Sequence, residues 1–367
     1  GIVRQLLGLC SARCFTLLWH EVEISRQCSL DVVGFGDGLV VLQLVLHHWE
    51  KPRLVALKRS EEIFMASERE GTIVHDVACG DKFKISCGVG DCSQEVIFDK
   101  LFENASIPEV FASCSDLVVG VTEGWSATIL VHGPPHIGGS RFVWGAAETP
   151  GLVHMASECL FEACQKGRFA EQEGCFAVSV AVMYLDVNEA YDVFARGRGH
   201  YLPGRQPLNK RVATSCEEAQ QMIKRAVSDA YTRLTQSGGD TRDFLALCTI
   251  TVESYRRDPK HGYECQTSTL TIAALFKLHE CPGDAFYWQM LRRNENVFAD
   301  VFDAIGKDQP CIPHRNCCLT HYLKEALGGH DRLAIISLLP TACHGVTQEK
   351  ELRRVLIFAS QASQVVN

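Results

Sequence analysis

Residues 121–140 read VTEGWSATILVHGPPHIGGS. The apolar run Ala127–Val131 inside this stretch has the length of a strand. A segment rich in glycine and proline, Gly133–Ser140, follows it almost at once. Glycine and proline end regular structure, so we predict a strand at Ala127–Val131 that leads directly into this segment.

Apolar runs of strand length alternate with helical periodicity on both sides of residues 121–140. The predicted strands are Leu39–Leu46, Ala127–Val131, Phe176–Leu185, Leu245–Glu253, Leu270–Leu275 and Leu333–Leu339. The predicted helices are Pro108–Glu123, Gly151–Gln165, Cys216–Leu234, Asn294–Ile305, Leu319–Leu327 and Gln348–Gln361. This alternation is typical of an α/β fold with helices on the faces of a sheet.

The composition indicates a globular protein. The chain has 367 residues, of which 46% are hydrophobic and 22% charged, and this excludes disordered, collagen-like and purely coiled-coil proteins. No apolar run approaches the ~18 residues of a membrane span.

We predict one domain at 37–367 behind an N-terminal extension at 1–36. Within the extension, Arg4 and Arg13 precede the first acidic residue, Glu21. This charge pattern is typical of a short amphipathic helix and also of an organelle transit peptide, and both alternatives stay open.

Cysteine content and charge narrow the class further. Eighteen scattered cysteines are too few for a disulfide scaffold, so we interpret them as small buried hydrophobes in a reducing compartment. The net charge of −8 argues against a general nucleic-acid binder.

One segment, residues 195–211, has no acid and is rich in glycine and proline, which predicts a loop. It is either a solvated loop or a docking site for an acidic surface, and its basic residues are Arg196, Arg198, Arg205, Lys210 and Arg211.

Two long motifs resemble the kinesin motor domain family. The first runs from Phe98-Asp99-Lys100-Leu101-Phe102 to the strand entry EGWSATI at 123–129, similar to the family's FDxVF and E-G-Y/W-N-G-T-I patterns. The second, CIPHRNCCLTHYLKEALGG at 311–329, is similar to H-I-P-Y-R-D-S-K-L-T-x-x-L-x-x-S-L-G-G. The resemblance implies a kinesin-motor-like fold of the P-loop NTPase type, with a central mixed, mostly parallel sheet, ending near the start of the neck linker.

The nucleotide motifs of that family are degenerate in this chain. Residues 133–140, GPPHIGGS, stand where the family has the phosphate loop G-Q-T-G-S-G-K-T. The glycines and the hydroxyl remain as Gly133, Gly138 and Ser140, but Gly139 replaces the lysine that would reach the phosphates. Two prolines remove backbone N–H donors, and each lost charge-assisted hydrogen bond costs about 1.5 to 3 kcal/mol.

The two switches and the adenine-side motif are degenerate as well. Where the family has the switch I pattern S-S-R-S-H, only Thr241 and Arg242 stand as remnants. Ala274 and Lys277 replace the aspartate and glycine of the switch II pattern D-L-A-G-S-E. The R-x-R-P motif expected after the first strand is missing near His47, His48 and Trp49. The resemblance with these losses predicts a protein that is not an enzyme and holds no cofactor.

The expected function is that of a catalytically inactive, nucleotide-independent microtubule-associated or cytoskeletal scaffold in the cytoplasm. A stable assembly such as an axoneme is the kind of setting we expect, with tubulin and other cytoskeletal or ciliary proteins as partners and neither nucleic acid nor membrane. The alternatives are an interaction or regulatory module that no longer binds tubulin, and a divergent weak ATPase. Beyond the basic loop, the candidate partner-binding residues are Arg292, Arg293, Arg315 and Lys324. Residues 291–332 carry six basic and six acidic side chains, so this surface lacks a positive bias.

A cysteine–histidine cluster raises the alternative of a zinc site. Its members are Cys311, His314, Cys317, Cys318 and His321. Their spacing matches no common four-ligand zinc motif, so we predict no metal.

Overall fold

The computed structural model describes residues 15–19, 22–24, 42–46, 53–59, 75–79, 82–87, 94–103, 105–134, 137–146, 149–166, 175–185, 190–195, 200–201, 208–236, 245–258, 262–277, 285–340 and 346–363. The chain divides into two compact units, Gly1–Glu50 and Lys51–Asn367. In the first unit β1 (Phe15–Trp19) pairs antiparallel with both β2 (Val22–Ile24) and β3 (Leu42–Leu46). The division into an extension at 1–36 and a domain at 37–367 stays a prediction.

The second unit alternates strands and helices as the sequence predicts. Its strands are β4 (Arg53–Arg59), β5 (His75–Cys79), β6 (Lys82–Cys87), β7 (Gln94–Phe98), β8 (Lys100–Glu103), β9 (Ala127–His132), β10 (Cys175–Leu185), β11 (Ala190–Asp192), β12 (His200–Tyr201), β13 (Arg211–Ala213), β14 (Leu245–Asp258), β15 (Gly262–Lys277) and β16 (Arg332–Pro340). Its helices are α1 (Ile107–Ala112), α2 (Ser115–Thr122), α3 (Gly139–Trp144), α4 (Leu152–Lys166), α5 (Cys216–Gln236), α6 (Ala285–Gly306), α7 (Cys318–Tyr322) and α8 (Val346–Ala362). Among these described helices, none has a stretch both long and apolar enough to cross a bilayer.

A ten-stranded mixed sheet forms the centre of the second unit. Its strand order is β12-β11-β10-β14-β15-β9-β16-β4-β8, with β13 paired to β10. The strands from β15 to β8 pair parallel, whereas β10, β14 and β15 form an antiparallel meander. Strands β5, β6 and β7 form a separate three-stranded antiparallel sheet.

Helices cover both faces of this sheet. Ile129 and Val131 point to a core shared with α1 to α5, and Leu130, between them, points to a core shared with α6, α7 and α8. Because a strand alternates its side chains between faces, a central strand covered on both sides must be buried at every position. All six residues of β9 are buried, as this requires. The predicted α/β class with helices on both faces is confirmed.

The position predicted for the first strand of the sheet is wrong. The predicted strand Leu39–Leu46 is observed as β3 and pairs with β1, whereas the strand parallel to β16 is β4. Only four apolar residues of β4, Leu54–Leu57, stand between charged neighbours, and this run was too short to attract a prediction. The residues to compare with the R-x-R-P motif are therefore those at the end of β4, and not those near His47. That strand ends in Lys58-Arg59, so one arginine is present there.

The predicted helix Pro108–Glu123 is two helices, α1 and α2. At the break, the Ser113 hydroxyl donates to the Val110 carbonyl at 2.7 Å, and the Ser113 carbonyl accepts from Arg53 at 2.6 Å. Arg53 also forms a bidentate ion pair with Asp116 at 2.6 and 2.8 Å. A side chain of β4 thus takes a carbonyl that a continuous helix would use itself, and periodicity alone cannot reveal this.

Four other elements have boundaries that differ from the prediction. The predicted helix Leu319–Leu327 is observed as the shorter α7 followed by turns up to Gly328, which has a φ of 85°. The strands β14 and β15 extend well beyond the apolar runs that predicted them, because they form a hairpin whose far end is more exposed. Helix α6 begins nine residues before its predicted start at Asn294.

A buried histidine connects the central strand to its neighbours. The His132 side chain is 6% exposed, and its Nε2 lies 2.7 Å from the Oγ of the fully buried Ser337 on β16. Its ring packs 4.4 Å from the ring of Phe358 on α8, which in turn contacts Phe298 and Phe302 of α6 edge-on. Burial lowers the pKa of His132 from 6.5 to about 3. The ring is therefore neutral in the folded protein at neutral pH.

We predict that acid destabilises the fold through His132. Between pH 6.5 and about 3 the unfolded chain binds a proton at His132 that the folded protein does not. The contribution of this residue to the free energy of unfolding should therefore fall by up to about 1.4 kcal/mol per pH unit as pH decreases through that window. Chemical denaturation at a series of pH values measures it.

The matched control is His132→Gln, which keeps a polar side chain but cannot titrate. This control is necessary because burial raises the pKa of Asp331 from 3.8 to about 6. Asp331 therefore contributes stability that is complete below pH 3.8 and is lost as pH rises through 6, the opposite trend. The difference in free energy of unfolding between the natural protein and His132→Gln should therefore change with pH below 6.5. Parallel profiles would contradict the assignment.

Candidate functional site

The candidate site lies where β9 ends, beside the carboxyl ends of the neighbouring parallel strands. In α/β sheets this edge is where ligands bind. β9 leads through Gly133 and Pro134, both buried, toward α3. Ala274 on β15 is in register with Val131 on β9. The fold thus brings together the two sequence segments, 133–140 and 274–277, that were predicted as phosphate loop and switch II.

Glycines are required at two points of this segment. A Cβ on Gly133 would lie 2.8 Å from the Leu338 carbonyl oxygen of β16, closer than real contacts allow. Gly138 has a φ of 75°, the left-handed conformation that glycine adopts without strain. Gly139 then begins α3, and Ser140 is half-buried in its first turn. The backbone requirements of the segment are therefore met by the retained glycines.

Two described positions of the segment differ in their side chains from a phosphate loop. Gly139, where the family has its lysine, offers no ammonium group. Ile137 is 5% exposed and packs in the same hydrophobic core as Phe142 and Val143 of α3. Arg141, the first cation after Gly139, is exposed. An apolar side chain of the loop itself thus anchors it to the core.

The switch positions differ in what the structure describes. Ala274 is fully buried, and its methyl group has no oxygen with which to hold a metal-bound water. Lys277 is the last residue of β15 and pairs with Leu245, but its side chain lies outside the described residues. Thr241 and Arg242 lie outside them altogether. The structure therefore brings only Ala274 and the strand position of Lys277 beside the phosphate-loop segment.

The two ends of the basic loop, residues 195–211, are held together where the loop joins the sheet, and we call this part the base of the loop. β11 ends in Asp192, whose carboxylate is 2% exposed and accepts hydrogen bonds from the Phe194 N–H at 2.9 Å and from the Asn209 N–H and Nδ2 at 2.7 Å each. Arg211 lies over the Phe194 ring at 4.6 Å, so this predicted partner-binding residue also contributes to the base. Lys210 and Arg211 are exposed. The other three arginines of the loop, Arg196, Arg198 and Arg205, lie outside the described residues.

The second candidate surface surrounds α7. Arg315 and Lys324 are exposed, but Lys324 lies 3.5 Å from Glu325. Arg292 and Arg293 lie on α6, and their side chains are outside the described residues. The segment is fixed to the sheet by a 2.7 Å hydrogen bond between the hydroxyls of Tyr322 and Thr249. The two described candidate cations, Arg315 and Lys324, thus lie on a segment that is bonded to the sheet, and Lys324 has the acid Glu325 beside it.

The cysteine–histidine cluster has a structural role in part. The Cys317 sulfur accepts a 3.4 Å hydrogen bond from the Thr320 N–H and caps α7. The Thr320 hydroxyl donates to the His314 carbonyl at 2.8 Å, closing the turn before the helix. Burial lowers the pKa values of His314 and His321, which favours their neutral forms. Within the described parts of the chain, no three His, Cys, Asp or Glu side chains are arranged to hold a metal.

Sequence reasoning missed two polar residues that this structure makes central. His132 drew no prediction, because its partners come from the packing of β9 on β16 and α8. Asp192 drew none either, because its bonds to Asn209 span 17 residues. An aspartate at the end of a buried strand was the available signal, because a buried carboxylate needs hydrogen-bond donors.

No family model matches the chain. Its sequence is similar to kinesin-like protein KIN-14I of Oryza sativa subsp. japonica, 23% identical over 296 residues that make up 76% of this chain and 23% of that protein. It is also similar to KIN-8B of Arabidopsis thaliana, 22% identical over 72% of this chain and 34% of that protein, and to human KIF13B, 23% identical over 75% and 15%. The chain thus spans a third or less of the length of these relatives.

Solved structures share the fold. A fast kinesin superimposes with a TM-score of 0.67 and 17% identity, over 86% of this chain and 92% of that one. A KIF14 dimer with AMP-PNP in complex with a microtubule superimposes with a TM-score of 0.66 and 17% identity, over 87% and 95%. Fold and sequence similarity together confirm the resemblance of this chain to the kinesin motor domain family.

Proposed function

We propose that this chain is a kinesin-like domain that binds microtubules without an ATPase cycle. The observation that carries the proposal is the segment after β9, which keeps two glycines of a phosphate loop but has Gly139 where the lysine should be and Ile137 in the core. Phosphoryl transfer depends on positioning and on charge stabilisation by such groups. With Ala274 in the neighbouring strand, two sources of that stabilisation are missing together.

Microtubule binding is supported by two further observations. One of the structural neighbours is a kinesin bound to a microtubule, and the relatives are kinesin-like proteins. The chain itself is acidic overall but has five basic residues and no acid in 195–211, which starts from a fixed base. A local positive patch of this kind attracts an acidic protein surface. We therefore propose a cytoskeletal scaffold in a stable microtubule assembly, of which an axoneme is an example.

We predict that the protein neither binds nor hydrolyses ATP in the manner of the family. Calorimetric titration of ATP and ADP with Mg²⁺ should give no binding in the micromolar range, because the loop lacks the lysine and two backbone donors. Phosphate release should not increase when microtubules are added. Micromolar affinity or microtubule-stimulated hydrolysis would contradict this.

A matched variant, Gly139→Lys, tests whether the lysine alone is responsible. It restores the missing cation at the first turn of α3 and leaves the prolines and Ala274 unchanged. We expect no turnover from this variant. Turnover in it, with none in the natural protein, would show that a single side chain separates the chain from an ATPase.

We predict that microtubule binding depends on the basic loop. Co-sedimentation should show binding that weakens as salt is raised from about 0.05 to 0.2 M, because exposed charges are screened. The double variant Arg196→Glu and Arg198→Glu should bind at least about tenfold more weakly, since it reverses two charges. The control, Lys166→Glu, changes an exposed lysine of the same protein that lies at the end of α4 and pairs with Glu162. It should bind like the natural protein.

Two results would overturn this prediction. Equal loss in the double variant and in Lys166→Glu would mean that net charge, and not the loop, determines binding. Absence of binding at low salt would favour the alternative, an interaction or regulatory module that does not bind tubulin.

A further inference from the structure

We infer that Asp192 and Asn209 form a clamp that holds the basic loop ready for its acidic partner. The inference rests on the proposed function, because it assigns a positioning role at the same binding surface. The clamp joins the residue at the end of β11 to the residue that precedes Lys210 and Arg211. Every residue between 195 and 208 therefore lies between two fixed points.

Burial of the Asp192 carboxylate explains why the clamp is tight. A carboxylate that is 2% exposed loses its hydration and must be compensated by donors. The structure supplies three N–H groups at 2.7 to 2.9 Å, and two of them belong to Asn209. Hydrogen bonds to a charged acceptor are about twice as strong as neutral ones. If Asn209 separated from β11, the carboxylate would lose two of these three donors.

Further contacts hold the residues at the two ends of the basic loop. The guanidinium of Arg211 lies over the Phe194 ring at 4.6 Å, and these two residues each stand two positions after a member of the clamp. β12 pairs antiparallel with β11 through Ala190–Tyr201 and Tyr191–His200, so Arg196 and Arg198 lie in the sequence between two paired strands. β13 pairs with β10 immediately after Arg211. The polypeptide is thus paired with neighbouring strands at β11 before the basic segment, at β12 within it and at β13 where it ends.

The consequence for binding is a lower entropy cost. Ordering a loop on association consumes part of the interaction energy, and a loop whose two ends are already held together incurs less of that cost. The clamp contributes no charge of the attractive sign, since Asp192 is acidic and buried. It should therefore change affinity without changing how affinity depends on salt.

The test compares Asn209→Ala with Lys210→Ala, two neighbouring substitutions in the full chain. Asn209→Ala removes one donor to Asp192 and no charge, and Lys210→Ala removes an exposed charge and no clamp contact. We expect Asn209→Ala to bind microtubules about fivefold more weakly with an unchanged salt dependence. Lys210→Ala should show a weaker salt dependence. Asn209→Asp, which places a second carboxylate against Asp192, should lose more affinity than Asn209→Ala.

A second readout does not require microtubules. Limited trypsin digestion of the folded protein, followed by mass spectrometry, measures cleavage after Arg196, Arg198 and Arg205. Cleavage at these sites should be about fivefold faster in Asn209→Ala than in the natural protein and unchanged in Lys210→Ala, because proteolysis follows local opening. Thermal unfolding confirms that the variants are folded.

The two readouts separate the clamp from the proposed function. If the natural protein does not bind microtubules but Asn209→Ala is cleaved faster, the proposed function fails and the clamp stands. If cleavage of Asn209→Ala proceeds at the natural rate, the clamp is wrong whatever the binding result. If cleavage accelerates but microtubule affinity is unchanged, the loop is held by the clamp without a role in binding, and the inference is overturned.

Discussion

The complete burial of β9 between β15 and β16 is the constraint on which the rest of the second unit depends. All six of its side chains are buried, and both neighbours pair with it in parallel register. The strand can shift neither along the sheet nor out of it without exposing apolar side chains or moving them to the wrong face. Its carboxyl end is therefore fixed in space, and everything attached to that end inherits a defined position.

This constraint explains how the fold can be kept while the residues beyond the end of the strand change. Packing is satisfied by the alternating side chains of β9, which contact the helices on both faces. Phosphate chemistry would require different residues beyond the end of the strand, and there the chain has Gly139 and the buried Ile137. Because the two sets of residues do not overlap, one can be lost without loss of the other. The buried pair His132 and Ser337, with Phe358 above it, adds a polar contact that joins β9, β16 and α8 at this place.

Much of the sheet could be predicted from sequence, because central strands buried on both faces are long apolar runs. The runs at 127–131, 176–185 and 333–339 gave β9, β10 and β16 nearly at their observed bounds. β4 escaped prediction because its apolar run is short, and the break between α1 and α2 because it depends on Arg53, some 60 residues away. The kinesin resemblance identified the segments of the candidate site, and the fold brought 133–140 and 274 together. The clamp at Asp192 and the contacts of His132 join residues far apart in sequence, so they could be found only in three dimensions.

The most direct test of a microtubule-binding domain without an ATPase cycle is its affinity for microtubules in three states: without nucleotide, with Mg²⁺ and ADP, and with Mg²⁺ and AMP-PNP. A ligand can shift a conformational equilibrium only by its differential affinity for the two states, so a nucleotide that does not bind cannot change the affinity for a partner. We predict dissociation constants that agree within about twofold across the three states at one salt concentration. A change of about tenfold or more between ADP and AMP-PNP would contradict the proposal, because it would require a nucleotide that is both bound and sensed.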